Sequence, residues 1–496
     1  MKRNGLAFWC ALIICLMTGS IRAQQQQPGH LTIEPYVFKA SDGQEVEAEL
    51  GKLLARENRS RADSRLIELA FVRFKSTAAK PGPPIVYLAG GPGGSGIATA
   101  RGSRFPLFMA MREIGDVIAF DQRATGMSRP SLTCRESLDY PLDKPGEPNE
   151  ILRLYKERAR SCAAALKAQG IDLSAYNTNE SADDLDDLRK ALGAETISLW
   201  SISYGTHLAL ATIRRHERNI HRVILAGVEG PEATLKLPSQ IQQQLEKINQ
   251  LAKADPGVSG KVPDLIELMK SVFAQLDKQP ITIQTTDPHG NQQGGRKIGV
   301  TIGKFDLQRI TASVIGNNEV RQLPVIYYAL SKGETSGLML SILAQQVGRE
   351  RAGSLGSAMP VAMDCASGVS PRRLRRIENE TKQTLLGATI DYPFPDVCAA
   401  VGVADLGEAF RSPVKAKTPA LFISGTLDAR TPVSNAEDAR KGFPNSAHLI
   451  IDGAVHSDPL FLSSPQIKDV MLEFLKGQPV STTSVKLQPL KFAPIQ

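Results

Sequence analysis

A serine hydroxyl is a weak nucleophile at its ordinary pKa. It needs a base, and the base needs an orienting acid. Ser203 lies in Trp200-Ser-Ile-Ser-Tyr-Gly-Thr206, a run that reads as strand, tight turn and helix with the serine in the turn. Such an elbow lifts the hydroxyl above a sheet, and small neighbours are required because its backbone is crowded. Ser203 holds the middle position and Gly205 stands two residues later. Ser201 replaces the glycine usual at the elbow's first position. Asp428, in Gly425-Thr-Leu-Asp428, and His456, in Gly453-Ala-Val-His456, each follow a short apolar run. Ser, then Asp, then His is the chain order of an acyl-transfer triad at the strand ends of a parallel sheet. Of the seven histidines, only His456 combines that order with a turn after a strand. His207 and His216 fall on the helix after the elbow, as packing or surface residues, and His448 falls within a strand.

A tetrahedral intermediate needs two N–H donors aimed at its oxyanion. The N–H after the nucleophile, that of Tyr204, is one. The other is expected from Gly90-Gly-Pro-Gly-Gly-Ser-Gly96, where glycines let backbone approach a substrate. That run lacks the Gly-Lys-Ser/Thr ending of a phosphate-binding loop, and Pro92 removes a donor, so nucleotide binding is excluded. There is no Cys-x-x-Cys and no clustered histidine, so no metal site is expected. No organic cofactor is implied either.

Positioning these residues takes an α/β sheet. Ile85–Ala89 runs into the glycine loop, and Val117–Phe120 into Asp121-Gln-Arg-Ala-Thr-Gly-Met-Ser128. Thr196–Trp200 runs into the elbow, Ala420–Ser424 towards Asp428, and Ala447–Ile451 towards His456. Short apolar strands alternating with helices signal buried parallel strands. Leu31–Lys80 reads as further strands. Ser181 is expected to cap a helix that ends at Gly193, and Thr431-Pro432 to form the N-cap and first position of another. Pro231 to about Lys415 breaks the rhythm. It is mostly helical, with a β-hairpin around Asp287-Pro-His-Gly290, and is expected to roof the site as a cap. The expected organisation is residues 1–23 as a signal peptide, 24–230 as the first part of the core, 231–415 as the cap, and 416–496 as the second part with an extended tail.

Lys2 and Arg3 precede an apolar run from Gly5 to Thr18, followed by Ile21-Arg22-Ala23, the pattern of a cleavable export signal. The run is too short for a bilayer-spanning helix. The mature protein is therefore expected outside the cytoplasm, periplasmic or secreted, without stable membrane insertion. Four cysteines lie beyond that segment, an even number that suggests disulfides in an exported chain. Three pairings are possible, and proximity favours Cys134–Cys162 and Cys365–Cys398. With 496 residues, 42% hydrophobic and 22% charged, the chain is neither disordered nor fibrous. A net charge of +8, partly in the first residues, does not mark a nucleic-acid binder.

Together, Gly90-Gly-Pro-Gly93, Asp121-Gln-Arg123 with Gly126 and Ser128, Ser203-Tyr-Gly205, Asp428 and His456 resemble the prolyl iminopeptidase and tripeptidyl aminopeptidase branch of the α/β-hydrolases. The resemblance departs at Ala89, where that branch has His, at Ala124, where it has Gly, and at Ser201. It implies an α/β-hydrolase fold and an aminopeptidase acting through an acyl-enzyme on a peptide. An esterase or amidase with the same triad, taking a small ester or amide, is the alternative. A non-catalytic binding protein on a hydrolase scaffold is the third reading. Carried over by motif, Gly91 is the second oxyanion donor, and Asp121 and Arg123 are structural. Glu229, in Ala226-Gly-Val-Glu-Gly230, stands beyond a strand end and is a candidate partner for a substrate ammonium. Its competing role is to cap a turn or pair with a nearby Arg. The sequence does not set the oligomeric state.

Overall fold

The computed structural model describes residues 27–287 and 296–495. The expected signal peptide and the turn Pro288–Gly290 of the expected hairpin lie outside the described residues. Ten strands form one sheet, in the order β1 (Leu31–Lys39), β2 (Glu45–Arg56), β3 (Leu66–Phe74), β5 (Gly115–Phe120), β4 (Gly82–Leu88), β7 (Ile197–Ser203), β8 (Ile220–Val228), β12 (Ala420–Gly425), β13 (Ser446–Asp452) and β14 (Ser484–Lys486). The first three are antiparallel, and β3 joins β5 antiparallel. From β5 to β14 every pairing is parallel.

Strands β7, β8 and β12 are buried along almost their whole length, as expected of apolar runs covered on both faces. The two faces carry separate apolar clusters. One centres on residues such as Leu69, Val86, Leu199 and Phe422, the other on Tyr87, Trp200, Ile224 and Phe461. Loops at the C-terminal ends of parallel strands converge where ligands bind in open α/β sheets. The glycine loop, Ser203, Asp428 and His456 all follow such ends.

Between β8 and β12 the chain leaves the sheet. It forms helices Pro238–Ala254 and Leu265–Lys278, the antiparallel pair β9 (Ile281–Thr286) and β10 (Lys297–Ile302), and further helices to Arg411. A third apolar cluster binds these elements together. The excursion is sewn to the first part of the chain by a short pairing of β11 (Ser354–Ser357) with β6 (Thr133–Ser137). Disulfides join Cys134 to Cys162 and Cys365 to Cys398. No helix among the described residues is long and apolar enough to cross a membrane.

Two expected caps differ. The helix expected to open at Ser181 spans Thr178–Ala191. Its cap is Asn177, whose side chain accepts from the Glu180 N–H at 3.0 Å. Ser181 lies buried inside the first turns. Thr431 does not cap the helix Val433–Arg440, which begins after Pro432. Its hydroxyl is drawn to Asp428 instead.

Candidate active site

Ser203 ends β7 and stands before the helix Tyr204–His216, with φ 55° and ψ −129°. A non-glycine residue in that region is strained and persists only where the surroundings enforce it. Two features enforce it here. Gly205 packs so tightly that a Cβ would lie 2.2 Å from the Leu88 carbonyl oxygen. Ser201, in place of the usual glycine, is fully buried, and its hydroxyl donates to the Ile224 carbonyl at 2.7 Å. Serine therefore fits the elbow's first position by making a hydrogen bond to the neighbouring strand.

Asp428 is fully buried, and its carboxylate is saturated. Oδ1 accepts the Arg430 and Thr431 N–H groups, both at 2.8 Å. Oδ2 accepts the Thr431 hydroxyl and His456 Nδ1, both at 2.7 Å. With the Nδ1 proton committed to Asp428, Nε2 of a neutral His456 is left as the basic nitrogen. Thr431 Oγ1 also lies 3.2 Å from His456 Nδ1. Gly227 makes room for the pair: a Cβ there would lie 3.1 Å from His456 Cε1 and 2.8 Å from Thr431 Oγ1. Ser203 and His456 line one cavity of about 520 Å³. The Ser203 hydroxyl has no hydrogen-bond partner among the described residues, an arrangement that commonly tightens only with substrate in place.

The glycine loop forms the facing wall. Gly90, Gly91 and Gly94 line the cavity. At Gly90 a Cβ would lie 2.8 Å from Ser203 Cβ, so only glycine lets the loop pass this close. The loop is held by Gly94 N–H donating to the Gly90 carbonyl at 3.0 Å and by Gln122 Nε2 donating to the Ala89 carbonyl at 2.9 Å. Tyr204 is the first residue of its helix, so its N–H has no intrahelical acceptor. The Gly91 N–H is likewise unclaimed among the described residues.

Asp121 and Arg123 act from behind. Asp121 accepts from the Ser95 hydroxyl at 2.6 Å and the Met127 N–H at 2.7 Å, fixing both ends of the loop cluster; burial raises its carboxyl pKa. Arg123 is fully buried against Asp184, at 2.8 Å, and carries no exposed atom into the cavity.

Glu229 lines the cavity and is 4% exposed. Its Oε2 is 3.1 Å from Lys236 Nζ, an ion pair whose cation comes from the excursion. Its Oε1 has no hydrogen-bond partner among the described residues. Asp364 and Asp391 stand close enough to feel its charge. Burial holds Asp364 well above the usual carboxylate range and pushes Asp391 up to about 6.

Sequence reasoning missed four neighbours of this site: Thr431, Gly227, Lys236 and Arg430. Gly227 was the detectable one, since a glycine inside a strand marks a close approach.

Residues 83–461 match the family described as alpha/beta hydrolase fold. Over 190 residues the chain is 30% identical to serine protease Hip1 of Mycobacterium tuberculosis, covering 37% of this chain and 36% of that one. Over 157 residues it is 29% identical to a tripeptidyl aminopeptidase of Streptomyces coelicolor, covering 30% of this chain and 28% of that one. Over 163 residues it is 28% identical to the putative hydrolase YuaR of Escherichia coli, covering 33% and 31% respectively. The matched stretches thus span about a third of the length of these relatives. The sheet order, the elbow and the matched span agree, and the chain belongs to the α/β-hydrolase family.

Proposed function

We propose that the protein is an exported serine hydrolase that releases single residues or short peptides from peptide N-termini through a Ser203–His456–Asp428 triad. The observation that carries this reading is the Asp428–His456 hydrogen bond opening on the same cavity as a strained Ser203. Ser203 Oγ attacks the scissile carbonyl and His456 Nε2 takes its proton. The N–H groups of Tyr204 and Gly91 receive the oxyanion. His456 then returns the proton to the leaving amine, and water resolves the acyl-enzyme by the same steps. Asp428 holds the ring and balances its transient charge. The names of two relatives, a serine protease and a tripeptidyl aminopeptidase, support a peptide substrate. The two disulfides support an oxidising compartment.

Selection of a free amine is assigned to Glu229. A substrate ammonium entering the cavity meets its unclaimed Oε1, with Asp364 and Asp391 close enough to feel the same charge. The experiment is a panel of chromogenic aminoacyl and tripeptidyl amides, amine free or blocked, beside short acyl esters. Free-amine peptides are expected to be the best substrates. Glu229→Gln is expected to weaken their hydrolysis by about 1.5–3 kcal/mol and to spare small neutral esters. An equal loss on both would assign Glu229 to holding Lys236. Esters alone being cleaved would make the protein an esterase.

Thr431→Val removes a hydroxyl donated to Asp428 while keeping its shape. It is expected to lower kcat about 2- to 10-fold with little change in KM, the effect of one hydrogen bond at the His–Asp pair. An unchanged kcat in steady-state assays would show that the carboxylate is oriented without it.

A further inference from the structure

The charged side chains lining the cavity are three cations, Arg104, Lys236 and Arg430, and two carboxylates, Glu229 and Asp458. Two of the cations are matched. Arg104 Nε lies 2.8 Å from Asp458 Oδ1, and Lys236 Nζ lies 3.1 Å from Glu229 Oε2. Arg430 is not. Its Nη2 donates to the Ser313 carbonyl at 2.7 Å, and its other guanidinium nitrogens have no hydrogen-bond partner among the described residues. It forms no ion pair there either, although burial pulls its pKa down while Asp428 and Asp391 raise it from longer range.

The side chain is nonetheless held in place. Gly316 lets its stem pass, since a Cβ there would lie 2.9 Å from Arg430 Cγ. The Gly316 carbonyl accepts the His456 N–H at 2.8 Å, so one short segment seats both the arginine and the histidine. A half-buried guanidinium without a carboxylate is costly. Its planar fork matches a carboxylate with two parallel hydrogen bonds. We infer that Arg430 is a specificity residue that receives a carboxylate of the substrate in the cavity that Glu229 also lines. This rests on the aminopeptidase reading and sharpens it: the preferred substrate carries an ammonium at one end and a carboxylate within a few residues of the scissile bond. That carboxylate is either the C-terminus of a short peptide or an acidic side chain.

Two measurements test it. Hydrolysis by the wild type is compared on short peptides ending in a free acid or an amide, and on amide-ended peptides carrying Glu or Gln beside the scissile bond. The acid is expected to be favoured about 10- to 100-fold in kcat/KM in one of the pairs, and the pair that shows it names the source. Arg430→Gln is expected to collapse that ratio towards one by lowering kcat/KM on the acid, and Arg430→Lys to retain part of it. Binding of the same peptides to the Ser203→Ala protein, by titration calorimetry, gives a readout independent of turnover. Tighter binding of the acid, lost when Arg430→Gln is added, supports the inference even where no peptide is cleaved, an outcome that would sink the aminopeptidase reading alone. Equal binding of acid and amide by the Ser203→Ala protein, or a preference that survives Arg430→Gln, overturns the role of Arg430.

Discussion

Ser203→Ala is expected to abolish turnover, by about 10⁶-fold in kcat on the scale set by removing the nucleophile of other serine hydrolases, with the fold intact. The residue ends β7 with its hydroxyl on the cavity and no structural hydrogen bond among the described residues. Little stability therefore rests on it. Ser201 is the matching control two residues earlier. Its hydroxyl is buried and bonded to the Ile224 carbonyl, so Ser201→Ala is expected to cost about 1 kcal/mol of stability and to keep turnover within about tenfold of the wild type. Active-site labelling with a fluorophosphonate should fail only for Ser203→Ala. A dead Ser201→Ala beside an active Ser203→Ala would show that the elbow has been read two residues out of place.

Asp428→Asn is expected to lower kcat by about 10⁴-fold, the size of the loss when a triad carboxylate becomes an amide. The hydrogen bonds give the reason. Oδ1 accepts two backbone N–H groups, which only an oxygen can do. An asparagine would therefore keep its oxygen there and turn its NH₂ towards Thr431 Oγ1 and His456 Nδ1. Nδ1 would then have to accept, the ring proton would move to Nε2, and the base facing Ser203 would be lost. Thermal unfolding close to the wild type alongside the kinetic loss would separate this from misfolding. A kcat within tenfold of the wild type would rule Asp428 out as the orienting acid.

The strand ends were legible in the sequence because buried parallel strands are short and apolar. Each one here runs straight into a turn rich in glycine, serine or aspartate. That is why strand ends read from the sequence point to Ser203 and His456, which line one cavity, and to Asp428, which is hydrogen-bonded to His456. Turn chemistry was less legible. Thr431-Pro432 carries the marks of a helix start, but a nearby buried carboxylate outcompetes the helix for the hydroxyl. Ser181 lost the cap to Asn177, four residues earlier, because both are good caps and tertiary packing chose between them. Charge pairing was illegible. Whether Glu229 meets a cation depends on where the excursion after β8 places Lys236, and no periodicity encodes that. That Arg430 has no ion-pair partner among the described residues is visible only once the carboxylates around it have positions.

Leu427 and Ala429, on either side of Asp428, and Val455, just before His456, sit in the same apolar cluster as Met269, Phe273 and Tyr327 of the excursion. The loops that bear Asp428 and His456 are thus threaded through the interior of the excursion after β8. A boundary drawn along the sequence at residues 231 and 415 divides the chain on paper, but the interior it crosses is continuous. Grafting the corresponding segment of a relative onto this sheet would replace the apolar residues that hold both loops. In this protein an exchange of whole segments must therefore carry the loops of Asp428 and His456 with it, whereas change by single residues at the cavity surface remains open.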